Sequence, residues 1–166
     1  MSAGDGAGLR ILPTDLADTR LAAAFIDLLE HYARDPMGGG DGLSAYASTH
    51  LVEQLRQVPA FHGAIAWQGE TAVGLINCFT GFSTFAAKPL LNIHDIVVRA
   101  GQRGLGIGQA LIAWAEARAR ELGCCKLTLE VLSNNQRALG CYTAAGFAPY
   151  VLDPAAGQAL FLQKVF

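Results

Sequence analysis

The sequence predicts a mixed α/β layer architecture, and three features of the chain lead to that prediction. Strands with alternating apolar residues and short turns fill the middle of the chain. Segments with helical periodicity precede these strands, and a glycine-rich loop with a strongly helical segment follows them. The resulting order is β-α-α-β-β-β-α-β-α-β-β, without an internal repeat, which is typical of a layered domain.

The N-terminal third is expected to hold one strand and two helices. A short apolar run at residues 9–12 is a candidate strand, and Thr14 or Asp15 can cap a helix that runs to about residue 33. Residues 35–42 are a loop by composition, and a second helix covers roughly residues 43–57.

The rest of the chain alternates between strands and helices. Strands are expected at residues 61–67, 71–85, 90–98 and 126–132, helices at 109–122 and 134–145, and final strands near 151–154 and 159–165. The strands that end at Val98 and begin at Lys126 flank a crossover helix. We therefore expect these two strands to be parallel neighbours.

Composition limits the possible functions. The 166 residues fit one domain at 9–166 after a flexible tail at 1–8, and 52% of them are hydrophobic. The net charge of −2 argues against electrostatic binding to nucleic acid or to an anionic membrane. No apolar run is long enough to span a bilayer, and the first residues lack the pattern of a secretory signal, so we expect a cytoplasmic protein.

The cysteines do not indicate a metal centre. Their spacing fits no zinc pattern, and a chain of this size does not need a disulfide framework. We expect reduced thiols at Cys78, Cys124, Cys125 and Cys141, and no bound metal.

The most informative stretch is a glycine-rich loop between a strand and a helix. Glycines at 104, 106 and 108 allow sharp turns and close approach to a ligand. The helix start offers unpaired N–H groups and a positive dipole end, which together suit a phosphate. Arg103 is expected to add a positive charge at the mouth of this site.

Three other interpretations of the loop compete. A P-loop requires Gly-Lys-Ser/Thr, but Gly108 is followed by Gln109 and Ala110. A Rossmann loop requires G-x-G-x-x-G, and the third glycine is missing from either starting point. A glycine-rich turn without a ligand remains open.

Two motifs in this region resemble those of the GNAT superfamily of N-acetyltransferases. Arg103-x-x-Gly106-x-Gly108 is similar to the acetyl-CoA signature of that family, and Asn135-x-x-Ala138, Tyr142 and Gly146-Phe147 are similar to its later helix. The resemblance spans about residues 90–147. It implies the GNAT fold, a mixed and mostly antiparallel sheet with a splayed parallel strand pair and helices on both faces. It also implies acetyl-CoA as cosubstrate.

The resemblance also assigns cofactor-binding residues. The strand before the loop would pair with the pantetheine arm, the loop amides would hold the pyrophosphate, and two side chains would line the thiol end. In that order these are Ile96, Val97 and Val98; Arg103, Gly104, Leu105, Gly106, Ile107, Gly108 and Gln109; Asn135 and Tyr142.

Amine acetylation needs an acid and a base. In the resemblance, Tyr142 is the candidate acid toward the CoA sulfur. His94 and Asp95 are the candidate bases; the local resemblance to diamine and polyamine acetyltransferases implies acidic residues here, and His94 departs from that pattern. On a regular strand these two side chains point to opposite faces, unless a bulge re-aims one of them.

The acceptor is expected to be the amine of a small molecule, such as a diamine, a polyamine or an amino-acid-like amine. In the family the loop after the first helix borders the acceptor, and Tyr32, Asp35, Met37 and Asp41 lie in or beside it. A solvated loop without a binding role is the favoured interpretation of these residues. A protein or peptide acceptor, a non-catalytic acyl-CoA-binding module and another nucleotide-binding enzyme remain as alternatives. A homodimer is possible, because sheet edges in this fold often pair.

Overall fold

A computed structural model of the chain describes residues 8–166, and its main feature is a five-stranded sheet. The strands are β1 (Leu9–Pro13), β2 (Phe61–Gln68), β3 (Thr71–Ser83), β4 (Lys88–Val98) and β5 (Leu127–Leu129). They lie in sequence order across the sheet, antiparallel except for the parallel pair of β4 and β5. The predicted mixed sheet is confirmed. The predicted tail at 1–8 lies outside the described residues, apart from Gly8.

Four helices accompany the sheet: α1 (Thr19–Arg34), α2 (Ala45–Leu55), α3 (Ile107–Glu121) and α4 (Gln136–Ala144). The predicted start of α1 at Thr14 or Asp15 is wrong, because the carboxylate of Asp18 accepts the first helical amides and caps the helix there. The hydroxyl of Ser44 caps α2 in the same way, so α2 is also shorter than predicted.

The sheet has an apolar core on each face. On one face α1 and α2 pack against it through Phe25, Leu28 and Leu55. On the other face α3 packs through Ile107, Leu111 and Ala115. These two cores confirm the prediction of helices on both faces of the sheet.

The parallel pair of strands separates early. Only Leu91–Ile93 of β4 pair with β5, at Leu127–Leu129, although β4 continues to Val98. The strand predicted at 126–132 is therefore shorter than expected. Beyond Ile93, one edge of β4 has no strand beside it in the described part of the chain, and its peptide groups remain available to a ligand.

The two predicted C-terminal strands near 151–154 and 159–165 are wrong. After Gly146 the described residues contain no strand, and the short 3-10 turn at Pro154–Ala156 begins where the carboxylate of Asp153 accepts the amide of Ala155. Apolar side chains such as Phe161 and Leu162 are exposed. An apolar run becomes a strand only when a sheet edge pairs with its backbone, and this segment has no such partner in the structure.

Candidate active site

A cavity of about 700 Å³ lies between the end of β4, the glycine loop, the first part of α4 and the turn after α1. Its lining residues come from segments 32–37, 96–98, 102–109 and 134–142. The structure brings together in this cavity all of the residues predicted to bind a cofactor except Leu105. That side chain is 63% exposed on the outside of the loop.

The glycine loop has the backbone of an anion site. Gly104 and Gly106 have φ values of +82° and +80°, a conformation that other residues rarely adopt. Gly106 is the N-cap of α3 and offers no side chain, so the amides of Ile107, Gly108 and Gln109 have no acceptor within residues 8–166. Free amides at the positive end of a helix favour a phosphate group.

Arg103 lines the cavity and is paired with a carboxylate. Its Nη2 donates to Oδ2 of Asp35 at 2.8 Å, and its Nε donates to the carbonyl of Val98 at 3.1 Å. The hydrogen bond from Arg103 is the main reason that the pKa of Asp35 lies below its usual value. Arg103 therefore joins the turn after α1 to the glycine loop and to the end of β4.

Asn135 and Tyr142 occupy opposite ends of α4. The carbonyl of the Asn135 side chain accepts the amide of Ala138 at 3.2 Å, so this residue caps the helix as well as lining the cavity. Tyr142 is 9% exposed and packs edge-on against Phe147. Burial, with a smaller effect of Cys141 and Tyr32, raises the pKa of Tyr142 to about 12. Its hydroxyl therefore keeps its proton at neutral pH.

A β-bulge in β4 changes the direction in which the side chains of the two candidate bases point. Asn77 pairs with Asp95 and Cys78 pairs with Ile93, so His94 is an extra residue without a partner on β3. Asp95 accepts a hydrogen bond from Asn77, and the ring of His94 packs edge-on against Phe79. Because Asn77 and Phe79 are two residues apart on one strand, His94 and Asp95 face the same side of the sheet.

Both candidate bases lie beside the large cavity and do not line it. His94 is exposed and Asp95 is half-buried, next to Ile96, which does line the cavity. Tyr32 relates the cavity to the candidate bases, because it lines the cavity and its pKa responds to the charge of Asp95. Burial first, and then the charges of Asp95 and Asp35, raise the pKa of Tyr32.

The cavity therefore combines an anion site, an unpaired strand edge and a buried, protonated tyrosine. The sequence profile described as the Acetyltransferase (GNAT) family matches residues 25–147 of the chain. This chain belongs to the GNAT family. It is an N-acetyltransferase, and the family uses acetyl-CoA.

Named relatives of this GNAT acetyltransferase extend over most of its length. It is 34% identical over 155 residues to streptothricin acetyltransferase of Streptomyces lavendulae, with 93% of this chain and 70% of that protein covered. It is 28% identical over 151 residues to glucosamine 6-phosphate N-acetyltransferase 1 of Oryza sativa subsp. japonica, with 87% and 84% covered.

The fold of the GNAT chain also matches solved structures. An aminoglycoside N-acetyltransferase solved in complex with CoA superposes with a TM-score of 0.75 at 17% identity, covering 98% of this chain and 99% of that chain. A likeness at this level of identity shows the fold. Within residues 8–166, no group of metal-ligating side chains is arranged to hold an ion, and no helix is long and apolar enough to cross a membrane.

The loop residues for which a solvated role was favoured are placed differently by the structure, and one buried polar residue near the site was missed. Tyr32, Asp35 and Met37 line the cavity, whereas Asp41 does not. Asn77 was missed, although one signal was available: it is a polar residue inside the otherwise apolar run of β3. Cys141, for which only a reduced thiol was predicted, lines the cavity, and its carbonyl accepts a hydrogen bond from the side chain of Gln109.

Proposed function

We propose that this enzyme transfers the acetyl group of acetyl-CoA to the amine of a small molecule by direct attack. The observation that carries the proposal is the shared cavity. The amides at the start of α3, the unpaired edge of β4 and the buried Tyr142 line the same cavity as Tyr32, Asp35 and Met37. The amides at the start of α3 can bind a diphosphate, the edge of β4 can pair with an amide-bearing arm, and the side chains of residues 32–37 can bind an amine acceptor.

Acetyl-CoA fits the residues that are present. The amides of Ile107, Gly108 and Gln109 would hold its diphosphate, since they lack partners and lie at the positive end of α3. Peptide groups of β4 at residues 96–98 would pair with the amides of its pantetheine arm, because β5 has ended before that point. When bound, acetyl-CoA supplies an acetyl group activated as a thioester.

Asp95 and Tyr142 would carry the proton transfers. Asp95 takes a proton from the acceptor ammonium, either directly or through water, and the freed nitrogen forms a bond to the acetyl carbon. The nitrogen then releases its second proton to water, so that the product is a neutral amide. As the carbon–sulfur bond breaks, Tyr142 donates its hydroxyl proton to the sulfur and is reprotonated from solvent. A backbone amide at or near Val97 stabilises the charge that develops on the acetyl oxygen. His94 is the second candidate base, since the bulge turns it to the same face.

Several observations support a small acceptor. The two named relatives that cover most of this chain are enzymes for streptothricin and for glucosamine 6-phosphate, both of them small-molecule amines. The acceptor wall combines an aromatic ring, a thioether and a carboxylate in Tyr32, Met37 and Asp35, which suit a compact cationic amine. A net charge of −2 provides no broad surface for a highly charged macromolecule.

A panel of acceptors tests the substrate class. Thiol release from acetyl-CoA is measured with diamines, polyamines, amino acids, amino sugars and peptides with free N-termini or lysines. We expect turnover with at least one small amine at a kcat/KM at least ten-fold above that of any peptide. Turnover with peptides alone would reject the small-molecule acceptor and favour the protein or peptide alternative.

Ligand binding tests the cofactor separately from the acceptor. Calorimetry and thermal shift are recorded with acetyl-CoA, ATP and NAD under identical conditions. A ligand that binds the folded state raises the unfolding temperature, so we expect a clear increase with acetyl-CoA and none with NAD. Correctly folded protein without affinity for acetyl-CoA would overturn the proposal.

A further inference from the structure

Asn77 is a buried polar side chain that the fold does not require. It is 3% exposed in the middle of β3, between apolar neighbours such as Ile76 and Cys78. Its Nδ2 donates to Oδ2 of Asp95 at 3.1 Å, while its own Oδ1 is buried without a partner within residues 8–166. A buried acceptor left without a hydrogen bond costs about 1–3 kcal/mol, so an apolar residue of similar size would serve the core better.

The position of Asn77 relates it to the candidate base. Asn77 is the residue directly opposite Asp95 in the sheet, and the pairing shifts immediately after it to leave His94 unpaired. The bond from Asn77 thus fixes one carboxylate oxygen at the point where the bulge turns the strand. The second oxygen, Oδ1 of Asp95, has no hydrogen bond to a described residue and is available to the acceptor.

We propose that Asn77 is the positioning residue of Asp95: its amide holds one carboxylate oxygen and leaves the other directed toward the acceptor side of the cavity. This inference rests on the proposed function, in which Asp95 is the base. A base must lie within hydrogen-bond reach of the proton that it takes, so the position of its free oxygen matters for the reaction. Asn77 is itself buried in the sheet, so its effect passes through Asp95.

Other titratable groups around Asp95 are few. Tyr32 from α1 and Cys78 from β3 both feel its charge, and burial is the larger reason that the pKa of each is raised, that of Cys78 to about 12. Neither loses its proton near neutral pH. The charge of Asp35 also acts on Tyr32, and Asp35 is paired with Arg103. His94, next to Asp95 on β4, is therefore the group whose contribution to kcat must be separated from that of Asp95.

The test substitutes Asn77 with leucine, which keeps the size and removes the donor. We expect Asn77→Leu to fold with an unfolding temperature within a few degrees of the parent. We expect kcat to fall about 10- to 100-fold, the usual scale when a reacting group is misplaced. The KM for acetyl-CoA should stay within two-fold, so that the loss is confined to kcat. The same fall in kcat should appear in a His94→Gln background.

Asn92→Leu is the matched control. Asn92 also lies on β4 and its Nδ2 donates to Oγ1 of Thr128 at 3.0 Å, away from Asp95. Its loss removes a comparable bond from the same sheet, so we expect a similar change in unfolding temperature with unchanged kcat. If Asn77→Leu does not fold, Asn77→Ala provides the same loss of the donor with less crowding.

A double-mutant cycle separates this inference from the proposed function. If Asn77 acts through Asp95, then Asn77→Leu has no further effect on kcat in an Asp95→Asn enzyme. Full activity of Asp95→Asn would remove Asp95 as the base, leave His94 as the candidate and overturn the positioning role, while the acetyl transfer itself would stand. Low activity of Asp95→Asn, combined with normal kcat in folded Asn77→Leu, would overturn the positioning role alone. Failure of the proposed function would appear separately, as the absence of acetyl transfer to any small amine by the parent enzyme.

Discussion

The two walls of the cavity are built from different parts of the polypeptide. The wall that we propose binds the cofactor, called the cofactor wall, comprises residues 96–109 and 134–142. It offers mainly main-chain groups: the amides at the start of α3, the unpaired edge of β4 and the turns at Gly104 and Gly106. The wall that we propose binds the acceptor, called the acceptor wall, comprises residues 32–37 and offers the side chains of Tyr32, Asp35 and Met37. The cofactor wall would therefore bind its ligand mainly through the backbone, whereas binding at the acceptor wall would depend on which side chains are present.

This difference explains what the sequence reveals about each ligand. A backbone site needs glycines and a helix start at fixed spacing, and these leave a recognisable pattern. A side-chain wall can change with its ligand while the fold stays the same. The cofactor class is therefore readable from the motif, whereas the acceptor must be found by experiment.

The largest expected effect belongs to the cofactor wall. In Tyr142→Phe we expect kcat to fall about 100- to 1000-fold, because the sulfur loses its proton donor. Affinity for acetyl-CoA by calorimetry should be unchanged. Since burial raises the pKa of Tyr142 to about 12, the parent enzyme should keep this acid protonated, and show no loss of kcat from it up to pH 10.

Tyr46→Phe is the control for this experiment, since Tyr46 is 65% exposed on α2 and lies outside the cavity. Its kcat should match the parent. Undiminished thiol release by Tyr142→Phe would exclude the tyrosine as the acid.

A second prediction concerns the backbone of the glycine loop. In Gly106→Val a β-branched residue would need a φ near +80°, so the loop should shift and the free amides of α3 should lose their arrangement. We expect the KM for acetyl-CoA to rise about 10- to 100-fold, as a strained loop loses several phosphate contacts worth about 1–3 kcal/mol in total.

Gly101→Ala tests whether the conformation of Gly106 is responsible. Gly101 lies in the same connection with ordinary φ and open space around its Cα, so kinetics should be unaffected. Equal KM values for Gly106→Val and the parent would show that the loop amides do not hold the cofactor.

On the acceptor wall, Met37→Ala should change the preference among acceptor amines without changing the binding of acetyl-CoA. Removing the thioether widens the wall, so we expect kcat/KM for different amines to change relative to one another by roughly ten-fold. The KM for acetyl-CoA should stay within two-fold. Val58→Ala is matched in exposure, at 38% for both residues, and lies outside the cavity. A uniform effect of Met37→Ala on all amines would contradict a role in selection.

The smallest effect tests the link between the walls. Arg103 depresses the pKa of Asp35, so the pair contributes stability above the unfolded pKa of an aspartate and loses it as the pH falls through the lower, folded value. We expect Asp35→Asn to lower stability by about 1 kcal/mol at pH 7, or about 2–4 °C in unfolding temperature. The difference should disappear in acid.

Thermal unfolding between pH 3 and 7 measures this contribution. Asp41→Asn, on the same loop but exposed and outside the cavity wall, is the control and should show no such dependence. A stability difference for Asp35→Asn that persists at pH 3 would mean that the ion pair is not its source.

Local signals predicted most of the fold and the place of the cavity. Periodicity located the four helices, although the predicted cap of α1 was wrong, and the motif at Arg103 to Gly108 located the cavity. Two kinds of feature were beyond reach. The hydrogen bond between Arg103 and Asp35 joins residues that are 68 positions apart, and no local sequence pattern predicts such a contact. The C-terminal strands were predicted from apolar composition, which does not reveal whether a sheet edge is available.

The extra residue in β4 has a further consequence. Ile93 and Ile96 are three positions apart, yet both pack toward α3, while Val97 packs toward α1. The bulge therefore reverses which side chains after His94 face α3 and which face α1. Deleting His94 would move the side chains of residues 95–98 to the opposite faces of the sheet, although these residues themselves would be unchanged. The length of this strand is therefore as much a part of the enzyme's design as the residues it contains.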